Sequence, residues 1–306
     1  MERKRFIGRL PSPLKEMLSM LTAETFNSLQ EIRLRIGQPI TLHIGGEQYG
    51  LNEKGKVAIH ESYRVKRENI EQILKSISEF SLYAMEEEIR QGFITIEGGH
   101  RIGIVGKAVL EHAGIKTLKY ISGMNIRIAH EVVGCANSVM PYIVGKKGVY
   151  HTLIVSPPGC GKTTLLRDVI RQLSYGFSGY GPYTVGVVDE RSEIGACYLG
   201  VPQNDLGPQT DILDNCPKVE GMRMLLRAMG PDVVAVDEIG KTEDVYAIEE
   251  MLCAGVSILC TVHGRDLEEC RKKTLINKLI EEGAFERVII LSHKRGICTI
   301  ENIITL

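Results

Sequence analysis

One segment near the middle of the chain, residues 152–170, constrains the fold more than any other. An apolar run leads into a loop rich in proline and glycine, and Gly161-Lys162-Thr163 then opens an amphipathic helical pattern. A strand, a glycine-rich loop and a helix in this order form a P-loop, in which backbone N–H groups and the helix N-terminus surround the phosphates of a nucleotide. The segment therefore predicts an α/β sheet that carries a nucleoside triphosphate site.

Individual residues of this loop have expected roles. Lys162 is expected to reach the β- and γ-phosphates of ATP, and the Thr163 hydroxyl to ligate Mg²⁺. The pattern G-x-x-x-x-G-K-[ST] is met except at its first position, where Ser156 stands in place of glycine. The alternative is a chance Gly-Lys-Thr at the start of a helix, and the flanking strand and helix disfavour it. The residues expected to bind ATP are Pro157, Pro158, Gly159, Cys160, Gly161, Lys162, Thr163 and Thr164.

The composition is that of a globular protein. A chain of 306 residues is long enough for about two domains. Its net charge of −1 and the lack of an interleaved basic and aromatic stripe argue against nucleic acid as a partner. No apolar run reaches the length of a membrane-spanning helix, and the charged start lacks the apolar core of a signal peptide. We therefore expect a cytoplasmic protein.

The residue pattern changes near residues 135–150, which predicts two domains. The earlier part shows alternating strands, one helical spacing and one hairpin, in segments 31–36, 40–44, 70–84 and 93–105. Strands and helices alternate after the change, as they do around a parallel sheet. We expect an amino-terminal α+β domain over residues 1–135 and a nucleotide-binding α/β domain over residues 136–306.

An acidic pair follows one apolar strand of the second domain. Val233–Val236 leads directly into Asp237 and Glu238, as in a Walker B strand. We expect Asp237 to orient Mg²⁺ and Glu238 to polarise the attacking water. A helix N-cap is the alternative explanation for such a pair, and the P-loop upstream favours the catalytic explanation.

Two more apolar strands end in polar residues. Asp189, Glu190 and Glu193 follow the run 185–188, and His263 ends another run. Ligands of open parallel sheets bind beyond the carboxyl ends of the strands, so these side chains are expected near the nucleotide. The acidic residues could hold water or magnesium, or could cap a helix. A neutral His263 could hydrogen-bond the γ-phosphate.

Four motifs resemble, in order, those of the type II and type IV secretion ATPases. They are the P-loop, an Asp box at 188–193, a Walker B region at 224–239 and a His box at 255–263. The resemblance implies a RecA-like P-loop ATPase core in which Glu238 is the catalytic carboxylate. The chain departs from these ATPases at Asp237, where glycine is usual, and at Gly240-Lys241, where Arg-Asp is usual.

The whole chain resembles more closely a family of sporulation ATPases of endospore-forming bacteria. The segments that carry this resemblance are 31–40, 98–103, 125–129 and 213–218. It implies an ATPase of the mother cell, peripherally associated with the cytoplasmic side of a membrane complex that links mother cell and forespore. The membrane-embedded subunits of that sporulation complex are the implied partners.

A second copy of the chain is also an expected partner. P-loop ATPases commonly complete their site with an arginine from a neighbouring subunit, which stabilises the charge of the transition state. The candidates are Arg101 and Arg127, which flank polar or glycine-rich breaks near the domain junction. Because each site would be completed by a neighbouring subunit, we expect a ring of subunits, a hexamer. Two other functions stay open, a nucleic-acid-dependent RecA-like motor and a nucleotide-binding switch or scaffold without hydrolysis.

Overall fold

The computed structural model describes residues 2–77, 92–111 and 114–306 of the chain. The chain divides into two compact units, Met1–His130 and Glu131–Leu306. Each unit has a hydrophobic core of its own. The sequence analysis places the division after residue 135.

The first unit combines four described helices with an antiparallel sheet. The helices are α1 (Glu2–Arg9), α2 (Leu14–Ser19), α3 (Ala23–Asn27) and α4 (Arg67–Ile77), and a 3₁₀ turn spans Ile59–Glu61. The strands are β1 (Leu29–Arg35), β2 (Thr41–Ile44), β3 (Glu47–Asn52), β4 (Gly55–Val57), β5 (Phe93–Ile96), β6 (His100–Glu111) and β7 (Gly114–Arg127). Their order in the sheet is β4-β3-β2-β1-β7-β6-β5. The helical spacing expected over 70–84 corresponds to α4 up to residue 77, and residues 78–84 lie outside the described residues.

Alternation of apolar and polar residues explains the strands of this sheet. In β1, Ile32 and Leu34 are buried, while Arg33 is partly exposed and Arg35 exposed. A period of two places the apolar residues on the face that covers the core. The sheet therefore buries one face, as expected of the antiparallel part of an α+β domain.

The second unit is built around a mostly parallel sheet. Its helices are α5 (Met140–Ile143), α6 (Lys162–Tyr175), α7 (Lys218–Ala228), α8 (Thr242–Cys253), α9 (Leu267–Arg271) and α10 (Thr274–Glu281). Its strands are β8 (Val144–Gly145), β9 (Gly148–Val149), β10 (Thr152–Ser156), β11 (Val185–Asp189), β12 (Thr210–Asp214), β13 (Val233–Val236), β14 (Ser257–His263), β15 (Arg287–Ser292) and β16 (Thr299–Thr305). The sheet order is β12-β11-β13-β14-β10-β15-β16, with β16 antiparallel to its neighbour. Within the described residues, no helix is long and apolar enough to cross a lipid bilayer.

Helices cover both faces of this sheet, which explains its continuous apolar strands. Every residue of β10, β11 and β13 is buried. Within β10, Leu153 and Val155 pack into one core and Ile154 into the other. A strand buried on both faces carries an apolar run rather than an alternating pattern.

The register of the parallel strands brings their polar ends together. Ser156 at the end of β10 is paired with His263 at the end of β14. Val188 of β11 is paired with Val236 of β13, so the acidic residues that follow them leave the sheet at the same level. One edge of the sheet therefore carries the P-loop and the other sequence motifs of this unit, where ligands of such sheets bind.

Candidate active site

The P-loop connects β10 to α6 and has a conformation that requires glycine. Gly159 and Gly161 have φ angles of 75° and 92°. A Cβ atom on Gly161 would lie 2.6 Å from Cys298 Sγ and 3.1 Å from the Cys298 backbone nitrogen, so no larger residue fits. Ser156, at the first position of the motif, keeps a negative φ and donates its hydroxyl to the Pro157 carbonyl at 2.8 Å. That position therefore does not need glycine in this chain.

A chain of contacts links the P-loop lysine to the predicted catalytic carboxylate. Lys162 Nζ lies 3.1 Å from His263 Nδ1, and His263 Nε2 lies 3.1 Å from Glu238 Oε1. An ammonium group can only donate, so Nδ1 accepts and the proton of a neutral imidazole is on Nε2, the ring nitrogen in contact with Glu238. Burial lowers the pKa of Lys162, and the negative charges of Asp237 and Glu238 oppose that effect. His263 therefore lies between the P-loop lysine and Glu238, in contact with both.

Thr163 and Asp237 form an oxygen pair beside this chain. Thr163 Oγ1 donates to Asp237 Oδ2 at 2.6 Å, and the Thr261 hydroxyl donates to the other carboxylate oxygen. Among the described residues, no group of three or more His, Cys, Asp or Glu side chains is arranged to hold a metal. Mg²⁺ needs few protein ligands at a nucleotide site, since phosphate and water oxygens complete its octahedron. A hydroxyl and a carboxylate oxygen in contact therefore fit Mg²⁺.

The backbone of Glu238 is strained and is held from both sides. Its φ of 56° lies in the left-handed region, which costs a residue with a side chain about 1 kcal/mol. The Glu238 N–H donates to Thr261 Oγ1 at 2.9 Å, and its carbonyl accepts from Lys218 Nζ at 2.9 Å. Arg191 Nη1 lies 3.1 Å from Glu238 Oε2. Contacts to the backbone and to both carboxylate oxygens thus orient this side chain.

Lys218 is a site residue to which sequence reasoning assigned no role. It is 6% exposed, and its Nζ also donates to Glu190 Oε2 at 2.8 Å. Burial acts to raise the pKa of Glu190, but the hydrogen bond and charge of Lys218 prevail and the pKa is lowered. A usable sequence signal existed, because Pro217-Lys218 opens a helix just after β12, a parallel strand of the same sheet.

Asp189 anchors the loop that follows β11. Its two carboxylate oxygens accept from the backbone N–H groups of Glu193, Ile194 and Gly195 at 2.8, 2.8 and 2.9 Å. Burial raises the pKa of Asp189, and the three hydrogen bonds oppose that rise. Arg167 of α6 donates to the carbonyls of Ile194 and Glu193 at 2.8 and 2.7 Å. The loop is therefore tied to the helix that begins at the P-loop.

The acidic residues of the motifs surround one small cavity. Its lining includes Asp189, Glu190, Glu193, Asp237 and Glu238, together with Arg191 and Lys218. The volume of about 10 Å³ is close to what a single water molecule needs. The structure thus brings the acidic residues predicted for the active site together around a cavity beside Glu238 that has room for one water molecule.

The two candidate arginines lie in the first unit, on neighbouring strands. Arg101 on β6 is paired in register with Arg127 on β7. Arg101 lies over the Phe93 ring, 4.6 Å from its centroid. Arg127 is 69% exposed, with its Nε 3.8 Å from Glu31 Oε2. A role of either residue in a neighbour's site stays a prediction.

Known structures share the fold of this chain. A crystal structure of the pilus retraction motor PilT with bound ADP superposes with a TM-score of 0.59 at 15% identity, covering 90% of this chain and 77% of that one. The ATPase DotB of Legionella pneumophila superposes with a TM-score of 0.53 at 16% identity, covering 88% and 74%. Identities this low bear on the fold alone. They confirm the predicted α/β class, a RecA-like P-loop core with an amino-terminal α+β domain.

Sequence comparison gives the family. The chain is 40% identical over 294 residues to Stage III sporulation protein AA of Bacillus subtilis (strain 168), which covers 96% of this chain and 92% of that protein. It is 27% identical over 174 residues to Protein SEEDLING PLASTID DEVELOPMENT 1 of Arabidopsis thaliana, and this match covers 56% of this chain and 24% of that protein. The model of the family described as "Sporulation stage III, protein AA" matches residues 1–305. The predicted resemblance to a family of sporulation proteins is confirmed, and the chain belongs to the family Sporulation stage III, protein AA.

Proposed function

We propose that this protein is a Mg²⁺-dependent ATPase that acts as a ring and energises a membrane-associated sporulation complex. The observation that carries the proposal is the contact chain from Lys162 through His263 to Glu238, beside the Thr163–Asp237 pair. A phosphate-binding cation, an oxygen pair for Mg²⁺ and an oriented carboxylate are the parts that hydrolysis of a phosphoanhydride requires.

Each protein group has one task in the proposed reaction. The N–H groups of the P-loop and Lys162 bind the β- and γ-phosphates of ATP. Thr163 and Asp237 hold Mg²⁺, which when bound neutralises charge on the phosphate oxygens. Glu238 orients the attacking water and takes its proton as the new P–O bond forms and the bond to ADP breaks. The one-water cavity beside Glu238 supports this assignment.

His263 is proposed to report whether a nucleotide is present. Lys162 donates to its Nδ1 in the structure, and the same ammonium is needed at the phosphates when ATP binds. When Lys162 moves to the phosphates, Nδ1 of His263 is freed, while Nε2 stays within 3.1 Å of Glu238 Oε1. The γ-phosphate and the catalytic carboxylate are thereby coupled through one imidazole.

We further propose that the units Met1–His130 and Glu131–Leu306 are the two domains of each subunit in a hexameric ring. The exposed guanidinium of Arg127, with Arg101 as its neighbour, supports the supply of an arginine to an adjacent subunit's site. The name of the Bacillus subtilis relative supports action in sporulation. We propose the cytoplasmic side of a mother-cell membrane complex as the location.

A binding measurement tests the nucleotide site. Lys162→Ala removes the cation at the phosphates, so its affinity for ATP should fall about tenfold or more. Titration of folded protein with ATP and Mg²⁺ provides the measurement. The matched control is Lys146→Ala, since Lys146 is exposed in the same unit and should bind ATP as the unaltered chain does. Equal affinity of Lys162→Ala and Lys146→Ala would end the P-loop assignment.

A further inference from the structure

A second and larger cavity opens beside Glu238 and His263. Its volume is about 590 Å³, and its lining contains none of the P-loop residues 157–164. Lys241, before α8, and the start of α10 at Thr274–Ile276 form part of its wall. The two residues that the proposed function links to Lys162 therefore also line a space outside the P-loop.

The charge of this cavity is positive. Its lining contains four cationic side chains, Arg191, Lys218, Lys241 and Lys273. Two carboxylates, Glu190 and Glu238, oppose them. The formal balance of +2 suits a small dianion and disfavours a further cation.

Two lysines have hydrogen-bonding capacity left for a ligand. In the part of the chain that the structure describes, Lys241 Nζ has no hydrogen-bond or ion-pair partner. Lys273 Nζ donates to the His263 carbonyl, and an ammonium has three N–H donors. Both side chains are exposed at the cavity. By contrast, Lys218 and Arg191 are engaged by Glu190 and Glu238.

The start of α10 adds an independent anion-binding feature. Lys273 is the N-cap residue, its side chain makes no capping hydrogen bond, and the first turn contains no acidic residue. The N–H groups of the first helical turn have no partner within the helix. A helix N-terminus of this kind binds phosphate or carboxylate oxygens through these N–H groups and the helix dipole.

We propose that this cavity binds the inorganic phosphate released by ATP hydrolysis. The proposal rests on the proposed function, in which the bond from phosphate to ADP breaks beside Glu238. Phosphate carries one to two negative charges near neutral pH, which matches the lining. Lys241, Lys273 and the first turn of α10 receive it, and ADP stays in the P-loop. Phosphate therefore has a path out past Glu238 and His263 that does not cross the P-loop.

Binding of inorganic phosphate itself tests this site without any need for hydrolysis. Equilibrium dialysis of the full chain with labelled inorganic phosphate is performed at saturating ADP, which keeps the P-loop occupied. Lys241→Glu should raise the Kd for phosphate at least about tenfold, since it replaces a cation with an anion. Lys146→Glu makes the same charge change at an exposed residue of the same unit and should leave the Kd unchanged.

Three further measurements separate the possible sites. Thr274→Pro removes one N–H at the first position of α10, where proline is tolerated, and should weaken phosphate binding while the helix persists. Lys162→Ala should retain phosphate binding, since the cavity excludes the P-loop. Product inhibition of the ATPase by phosphate should weaken in Lys241→Glu, with inhibition by ADP unchanged.

The outcomes are distinguishable. Absence of phosphate binding at saturating ADP, or equal binding by Lys241→Glu and Lys146→Glu, overturns the proposal. Loss of phosphate binding in Lys162→Ala overturns it too, because the anion would then lie in the P-loop. A chain without ATPase activity that binds phosphate through Lys241 would contradict the proposed function and the role in product release, but would uphold the anion site.

Discussion

At the scale of single residues, Glu238 shows how the site is assembled. Its left-handed φ of 56° is unfavourable for a residue with a side chain, and hydrogen bonds from Lys218 and to Thr261 hold it. Strain of this kind persists only where the surroundings enforce it, and it is concentrated at functional sites. We call these two hydrogen bonds, from Lys218 Nζ and to Thr261 Oγ1, the Glu238 clamp. We infer that the clamp keeps the carboxylate directed at the cavity that has room for one water molecule.

The clamp leads to a prediction for Lys218→Met. Methionine has a similar length but cannot donate to the Glu238 carbonyl or neutralise Glu190. The carboxylate should lose its orientation, and kcat for ATP hydrolysis should fall roughly tenfold or more. The KM for ATP should stay within about twofold, since Lys218 is not among the residues proposed to bind the phosphates of ATP. Steady-state kinetics at several ATP concentrations separate the two constants.

Lys218→Arg is the conservative variant for this test. A guanidinium can still donate to both acceptors, so this variant should recover part of kcat. Combining Lys218→Met with Glu238→Gln should cost little beyond Glu238→Gln alone, because the clamp acts through Glu238. A full additional loss in the double variant would mean that Lys218 acts on the reaction independently.

Sequence reasoning reached the local parts of this site and missed the distant contacts. The P-loop motif is contiguous, so its strand, glycine turn and helix are evident from the sequence. The structure has the strand as β10, the turn at Gly161 with its positive φ, and the helix as α6. Lys218 is separated by 28 positions from Glu190 and by 20 from Glu238. Contacts of that kind depend on the register of neighbouring strands, which a single sequence does not specify.

At the scale of elements, a buried histidine joins the first helix to the sheet of the first unit. His100 at the start of β6 is 5% exposed, and its Nδ1 accepts from the Ala129 N–H at 3.1 Å. Its ring centroid lies 4.5 Å from that of Phe6 in α1. Burial, and then the nearby charge of His130, lower the pKa of His100 to about 4. The folded protein therefore holds a neutral imidazole that the unfolded chain would protonate below its ordinary pKa of 6.5.

This depressed pKa predicts a loss of stability in mild acid. The contribution is fully present above pH 6.5 and is lost as the pH falls towards about 4, because only the unfolded chain takes up the proton in that range. The maximum effect is about 3 kcal/mol of unfolding free energy. Urea unfolding followed by circular dichroism at about pH 7 and about pH 4.5 measures it.

His100→Asn should reduce the pH dependence of unfolding, since the amide oxygen can accept from Ala129 and does not titrate. The comparison variant is His60→Asn, because His60 is exposed in the 3₁₀ turn and should keep the dependence of the unaltered chain. The same pH dependence in both variants would show that His100 does not titrate as described. The alternating strands around His100 were evident from the sequence, but its contacts with Phe6 in α1 and with Ala129, two residues beyond β7, come from tertiary packing.

At the scale of the whole molecule, the proposed ring makes a prediction about mixed subunits. Arg127→Ala should bind ATP normally, but hydrolysis should fall by about a thousandfold if Arg127 reaches a neighbour's γ-phosphate. Mixing Arg127→Ala with Lys162→Ala subunits should restore activity. Some interfaces of mixed rings then pair an intact P-loop with an intact arginine. ATPase rates across a series of mixing ratios provide the measurement.

An arginine that acts within its own subunit predicts no rescue at any ratio. Full hydrolysis by Arg127→Ala alone would move the assignment to Arg101, its neighbour in the sheet register. Stimulation of hydrolysis by single-stranded DNA would instead favour the nucleic-acid motor. Neither the ring nor its partner follows from one chain, because both depend on surfaces that meet only in the assembly.

The central claim is that Glu238 activates water at a P-loop that binds ATP, and one single-turnover measurement tests it most directly. ATP and Mg²⁺ are mixed with excess Glu238→Gln protein, and bound ATP and ADP are quantified over time beside the unaltered chain. The amide cannot accept the proton of water, so ATP should bind with affinity within about threefold of the unaltered chain and be cleaved at least about a hundredfold more slowly. Cleavage of bound ATP by Glu238→Gln at the rate of the unaltered chain would contradict the account.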